Sequence, residues 1–241
     1  MLDYDAEADR YDATRGGRAR AEAAAAAVAS LLPPGARRVC DVGAGTGIVS
    51  AEVAARDVGV VCVDPSIGML RHAATRLPGR CLQARGDWLP LRSASVDAVT
   101  FVWLLHLLPD AGPFLAEAAR VLRPGGRVVT TVDKSGAHWA GNSDIAEALR
   151  PYLGPSRAAD QHDRIVAQSA QHGLVPLGEV TFVGLGQGLT PRKAERWLDE
   201  RPGAADGLAA LRALPDPDRA RPDPVYRVLA VGRAATSQSH W

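Results

Sequence analysis

The stretch Val39-Cys40-Asp41-Val42-Gly43-Ala44-Gly45-Thr46-Gly47 constrains this chain more than any other. Residues 38 to 42 favour a strand and enter a turn with glycine at every second position; an alanine-rich run, residues 48 to 56, leaves it with helical character. A strand, a glycine loop and a helix N-terminus in that order make a ligand cradle. Glycine permits φ > 0 and close approach to the backbone, and the free N–H groups of a helix start face whatever the loop holds. The expected ligand is nucleotide-like.

Spacing narrows the choice. The dinucleotide fingerprint G-x-G-x-x-G would need a third glycine at position 48, where Ile48 stands, the glycine coming earlier at Gly47. Asp41, two residues before the first glycine, is a poor neighbour for a pyrophosphate and a suitable one for a ligand with an ammonium and a sulfonium. The D-x-G-x-G-x-G pattern resembles the first motif of the class I S-adenosylmethionine-dependent methyltransferases, close to the small-molecule methyltransferase type 11 group. The resemblance implies that Asp41, Gly43, Ala44 and Gly45 lie beside the methionine and ribose part of the cofactor.

A second apolar run, residues 58 to 63, reads as a buried strand ending in Asp64 at the same sheet edge. A carboxylate there can accept hydrogen bonds from both ribose hydroxyls, each worth about 1.5–3 kcal/mol. NAD enzymes share this device, so Asp64 alone does not discriminate. The segment Asp64-Pro65-Ser66-Ile67-Gly68-Met69-Leu70 resembles the methyltransferase pattern in which the methionine lies against the adenine, which implies cofactor contacts from Pro65 and Met69. Without Asp64 before it, Met69 would read as a core residue of the next helix.

The same resemblance extends in both directions. Tyr11-Asp12-Ala13-Thr14-Arg15 is similar to an N-terminal lid, with Tyr11 facing the sulfonium and Arg15 the methionine carboxylate; the plain alternative is a polar, frayed terminus. After a third strand, residues 80 to 85, Gly86-Asp87-Trp88 resembles the segment in which an acid receives the adenine amino group and its neighbour covers the ring. An ordinary Gly-Asp turn is the alternative. The fourth strand, read within residues 93 to 102, runs into Trp103-Leu104-Leu105-His106, so Val102, Trp103 and His106 should border the transfer site beyond the strand ends. The family often has two histidines here; the second position is Leu107. Leu122-Arg123-Pro124-Gly125-Gly126 is similar to the family's turn before the fifth strand and serves as a helix stop. Beyond that strand, residues 133 to 140 offer a base and an aromatic wall, making His138 and then His106 the candidate catalytic bases.

With 241 residues, one domain is expected. The expected fold is α/β: a Rossmann-like doubly wound sheet of seven strands, mostly parallel, with an antiparallel last strand between the fifth and sixth and helices on both faces. Residues 1–18 form the lid segment, 19–132 the cofactor core, 133–233 a variable substrate side and final strands, and 234–241 a disordered tail. Strands six and seven are expected over 178–185 and 225–231. The net charge of +1 leaves no footprint for nucleic acid or an anionic membrane. Cys40, Cys62 and Cys81 have neither disulfide nor metal-ligand spacing, so no metal is expected. No leader or membrane span is read, which gives a cytoplasmic monomer or homodimer.

The resulting expectation is transfer of a methyl group by SN2 displacement from S-adenosyl-L-methionine to an O or N atom of a small molecule. S-adenosyl-L-homocysteine is the product, and specialised-metabolite biosynthesis the setting by analogy. The competing readings are an NAD(P)-dependent oxidoreductase and a cofactor-binding protein without methyl transfer.

Overall fold

The computed structural model describes residues 3–139, 143–153, 158–199 and 205–233; the expected tail, 234–241, lies outside them. Five short apolar runs form a parallel sheet. β1 (Arg38–Val42) lies between β2 (Gly59–Asp64) and β4 (Val96–Phe101), with β3 (Cys81–Gln83) outside β2 and β5 (Leu122–Val132) outside β4. β7 (Val225–Arg233) runs antiparallel between β5 and β6 (Leu174–Val183), giving the order β3-β2-β1-β4-β5-β7-β6. This is the expected architecture. The strand order reverses between β1 and β4, which opens a crevice at the C-terminal edge.

Helices cover both faces because successive strand residues point in opposite directions. Val39, Ala98 and Val129 pack with residues of α2 (Gly17–Leu31) and α3 (Ile48–Ala54). Cys40, Val99 and Val128 pack with Leu115 of α5 (Gly112–Val121) and Ile165 of α7 (His162–Ala170) on the other side. α4 (Ile67–Arg76) follows β2, its first turn capped by Ser66, whose hydroxyl accepts from the Met69 N–H at 3.1 Å. α6 (Asp144–Leu149), α8 (Pro191–Asp199) and α9 (Ala205–Arg212) join in a second, small core of Ile145, Leu149, Leu198 and Leu208.

Four elements differ from the sequence reading. β5 begins at Leu122, so it takes in the Leu122–Gly126 stretch read as a turn before it, with a register shift between Val96 and Ala98 on the paired β4. The N-terminal segment is an ordered helix, α1 (Tyr4–Thr14), whose N-cap Asp3 accepts from the N–H groups of Asp5 and Ala6. β3 keeps only three paired residues. β6 starts at Leu174, before Gly178, with a register shift at Pro176 and Gly178; a proline without an N–H is tolerated on an edge strand.

Candidate functional site

The glycine loop turns left-handed three times, with φ of 69° at Gly43, 55° at Gly45 and 70° at Gly47. The last two glycines serve different ends. A Cβ on Gly47 would come within 3.0 Å of the Ala73 Cα, so this glycine lets α3 and α4 approach. A Cβ on Gly45 would meet only the Met69 Sδ at 3.9 Å, so this one leaves the loop open towards the crevice. The Gly43 and Ala44 N–H groups both donate to the Val63 carbonyl, at 2.8 and 3.2 Å.

Two buried carboxylates neighbour the loop, and one of them, Asp64, holds it directly. Asp64, at the end of β2, accepts from the Gly45 N–H and the Ser66 N–H, each at 2.9 Å, and burial raises its pKa. Asp41 lies beneath the loop with both oxygens engaged: Thr100 on β4 donates at 2.6 Å, and Ser50 on α3 donates to the other oxygen. Burial pushes the Asp41 pKa up to about 6 against the pull of those two hydroxyls.

α1 closes over this arrangement through its acidic side chains. Asp12 accepts from the Thr46 hydroxyl and from Arg76, both at 2.6 Å; Asp5 accepts from the Ser66 hydroxyl at 2.6 Å and the Gly68 N–H at 2.7 Å. The helix thereby brings Tyr4 and Tyr11 to a cleft also lined by Gly43, Gly45, Asp64, Pro65, Met69, Val102 and Trp103. Asp12 stands inside the Tyr11–Arg15 lid pattern, where the sequence reading gave roles only to Tyr11 and Arg15, and Asp5 carries no motif of its own. An adjoining hollow contains Tyr11, Arg15, Asp41, Gly43, Ala44, Gly45, Val102 and Trp103, together with Arg20, a residue also missed.

The Arg20 guanidinium stacks 3.4 Å over the Trp103 ring and is only 6% exposed. One of its amino groups donates to the Arg15 carbonyl at 2.8 Å, while its Nε has no hydrogen-bond partner. Burial lowers its pKa, since no carboxylate among the described residues pairs with it. A signal existed in the sequence: Arg20 shares a helical face with Ala24 and Val28, where a charge is out of place unless it has a ligand or partner. Trp103 is itself held under strain, with φ 55°. Its N–H donates to the Thr131 hydroxyl at 2.8 Å, and its indole Nε1 is buried without a partner.

Other expected residues lie elsewhere. Asp87 forms a two-point pair with Arg85 at 2.9 and 2.5 Å, and Trp88 is 81% exposed; neither lines the two hollows just described. Gly86 is packed between Val42 and Phe114, where a Cβ would clash at 2.5 and 2.6 Å. His106 follows β4 in a single 3-10 turn with its Nδ1 buried and unpartnered; burial, then Lys134, Arg20 and Arg15, bring its pKa down to about 3. His138 stands edge-on to Tyr226, ring centroids 6.5 Å apart, and borders a separate cavity with Ile145, Leu189 and Pro222. Burial and the charges of Lys134 and Arg20 lower its pKa to about 4. Among the described residues no cluster of side chains suits a metal ion.

Comparison with known proteins bears on this crevice directly. A family described as a methyltransferase domain matches residues 40–130, the segment from the glycine loop to β5. An uncharacterised methyltransferase of Mycobacterium tuberculosis is 43% identical over 99 residues, covering 41% of this chain and 40% of that protein. A demethylmenaquinone methyltransferase of Beutenbergia cavernae is 42% identical over 117 residues, 46% of this chain and 48% of that protein. The chain thus matches less than half the length of these two relatives. Among solved structures, the [4+2]-cyclase SpnF superposes with a TM-score of 0.63 at 18% identity, covering 97% of this chain and 95% of the other. Geranyl diphosphate C-methyltransferase from Streptomyces coelicolor, in complex with Mg2+, geranyl diphosphate and S-adenosyl-L-homocysteine, gives 0.53 at 18% identity, covering 88% and 79%. These two structures share the fold. The comparisons give the oxidoreductase reading no support, and residues 40–130 of this seven-stranded sheet and its helices match the methyltransferase-domain family.

Proposed function

We propose that the protein transfers a methyl group from S-adenosylmethionine to an oxygen or nitrogen atom of a small-molecule acceptor. The observation that carries this reading is the Gly45–Asp64 contact at the crevice floor, which sets an open backbone turn beside a fixed, buried carboxylate. The residues present fit the cofactor. Asp64 would take the ribose hydroxyls, and Pro65 and Met69 would lie along the adenosine. Arg20, through its free Nε, would take the methionine carboxylate together with Arg15. Gly86, Asp87 and Trp88 are retained as the adenine side. Asp87 would have to offer its carboxylate past Arg85, and Trp88 would have to turn inward from its exposed position.

When bound, S-adenosylmethionine supplies a methyl group already activated by its sulfonium. The chain's own task is then to position the acceptor and exclude water; such alignment can contribute about 7–11 kcal/mol to lowering a barrier. Trp103, Tyr11 and Leu104 wall the crevice where α1 covers it. His138 and His106 are neutral at physiological pH and can accept a proton from a hydroxyl acceptor. With pKa values of about 4 and about 3 they are weak bases, so positioning carries most of the catalysis. Among the described residues no helix is long and apolar enough to cross a membrane. A cytoplasmic monomer or homodimer acting in specialised metabolism, as one domain over the whole chain, completes the proposal.

Calorimetric titration with S-adenosylhomocysteine and with NADH tests the ligand class, and a methyl-labelled cofactor screened against amine, hydroxyl and carboxylate acceptors tests the reaction. Binding of NADH alone, or binding of S-adenosylhomocysteine with no labelled product from any acceptor class, would overturn the respective half.

A further inference from the structure

A cavity of about 310 Å³ opens beyond His138, roomy enough for a small molecule. Its walls come from the variable part of the chain: His138 after β5, Ile145 of α6, Leu189 before α8, and the Pro222–Val225 run that enters β7. Aromatic rings join it to the cofactor crevice. The His138 ring stands 6.5 Å from Tyr226, and Tyr226 stands 5.9 Å from Trp103, which lines the crevice.

Two residues of opposite charge line this cavity, Arg221 and Asp223, and only one of them has bonding capacity left. Arg221 donates from Nε and one amino group to the two oxygens of Asp144, each at 2.8 Å, and its other three N–H bonds go to the carbonyls of Pro215, Asp216 and Arg219 at 2.8, 3.1 and 2.7 Å. A guanidinium has five N–H donors, so none remains for a ligand. Asp223 accepts from the Gly188 N–H at 2.6 Å and, on its other oxygen, from the Gly186 N–H at 3.1 Å. Each oxygen keeps a free acceptor position, and among the described residues no side chain donates to this carboxylate or forms an ion pair with it. Its charge reaches His138, against Lys134 and Arg20, and neither of those two cations lines the cavity. A half-buried carboxylate without a counter-ion favours an incoming cation, and the walls of Ile145, Leu189, Pro224 and Val225 favour an apolar body behind it.

Resting on the methyltransferase reading above, we propose that this cavity is the acceptor site and that it takes a small cationic amine, its ammonium held on Asp223 and its apolar body against Ile145, Leu189 and Val225. An ammonium has no lone pair, so the nitrogen on Asp223 is an anchor, and the accepting oxygen or nitrogen is a second group on the same molecule. Such a ligand brings the N–H donors that Asp223 lacks. An acid of the same shape meets Asp223 unpaired and Arg221 already spent.

The test is calorimetric titration of the protein, saturated with S-adenosylhomocysteine, with three probes of similar size: 2-phenylethylamine, 2-phenylethanol and 3-phenylpropionate. At pH 7.5 the amine should bind roughly tenfold more tightly than the alcohol, and the acid should bind least. Asp223→Asn should bring the amine down to the affinity of the alcohol, with S-adenosylhomocysteine affinity within about twofold of wild type. Val225→Trp, at a half-exposed wall position, should weaken all three probes alike, which tests the cavity even where the first variant disturbs the Gly186–Gly188 loop. Binding of the acid as tight as that of the amine, no binding of the amine, a preference that survives Asp223→Asn, or probe binding untouched by Val225→Trp would overturn the proposal. Failure of S-adenosylhomocysteine itself to bind would instead strike the methyltransferase reading.

Discussion

Arg20 and Trp103 are stacked 3.4 Å apart, a guanidinium from the second helix lying flat on an indole at the end of the fourth strand. Neither is fully satisfied on its own, since Arg20 Nε and Trp103 Nε1 are both buried without partners. A buried charge without a counter-ion is costly, so the site is poised to gain from an incoming anion. Arg20→Met should therefore weaken S-adenosylhomocysteine binding by roughly ten- to a hundredfold through loss of a charged hydrogen bond. Without ligand, the melting temperature should stay the same or rise. Paired calorimetry and thermal melts check this; an unchanged affinity would remove Arg20 from the cofactor site.

Asp64 fixes Gly45 and Ser66 in the free protein, and the proposed function gives it the ribose hydroxyls as well. Asp64→Ala should weaken S-adenosylhomocysteine binding by roughly ten- to a thousandfold with the fold retained by circular dichroism. Wild-type affinity in this variant would show that the sugar lies elsewhere.

Asp41 gives the protein a pH dependence of definite sign. Its folded pKa of about 6 lies above the ordinary carboxylate value of 3.8, so the folded state holds this proton more tightly than the unfolded one. The associated stability is present below about pH 4 and is lost as pH rises through 6, a penalty of about 1–3 kcal/mol at neutral pH. Asp41→Asn, still able to bond Ser50 and Thr100, should raise the melting temperature at pH 7.5 and change it little at pH 4. A destabilisation at both pH values would mean that the negative charge itself holds the loop.

The two histidines act in the opposite sense. Their folded values of about 3 and about 4 lie below the ordinary 6.5, so their contribution is present above pH 6.5 and lost as pH falls towards those values. Each supplies roughly 3–5 kcal/mol at full extent. The double variant His106→Gln, His138→Gln should flatten the fall in melting temperature between pH 6.5 and 4, measured at constant ionic strength. An unchanged slope would place both rings in contact with solvent.

Asp12 links α1 to both the glycine loop and α4. Asp12→Ala should loosen that helix, so limited trypsinolysis at Arg10, Arg15 and Arg18 should accelerate several-fold. Saturating S-adenosylhomocysteine should slow cleavage more in the wild type than in the variant. Equal cleavage rates without ligand would show that α1 is held by Asp5 and packing instead.

The sequence by itself determined the sheet and the loop beneath the crevice. Val39 to Gly47 and the run ending in Asp64 are local signals, because strand alternation, glycine spacing and a terminal acid are properties of neighbouring residues, and the structure places them side by side. The position of β7 between β5 and β6 was legible only through the family resemblance. Tertiary structure alone decided the rest. Asp12 on Thr46, 34 residues apart, and Arg20 on Trp103 are contacts between distant segments, which no spacing rule within one segment encodes. The alanine-rich second helix looked featureless because helix propensity reports how a segment folds and not what its one buried charge faces. That charge acquires its meaning only when the chain closes around it.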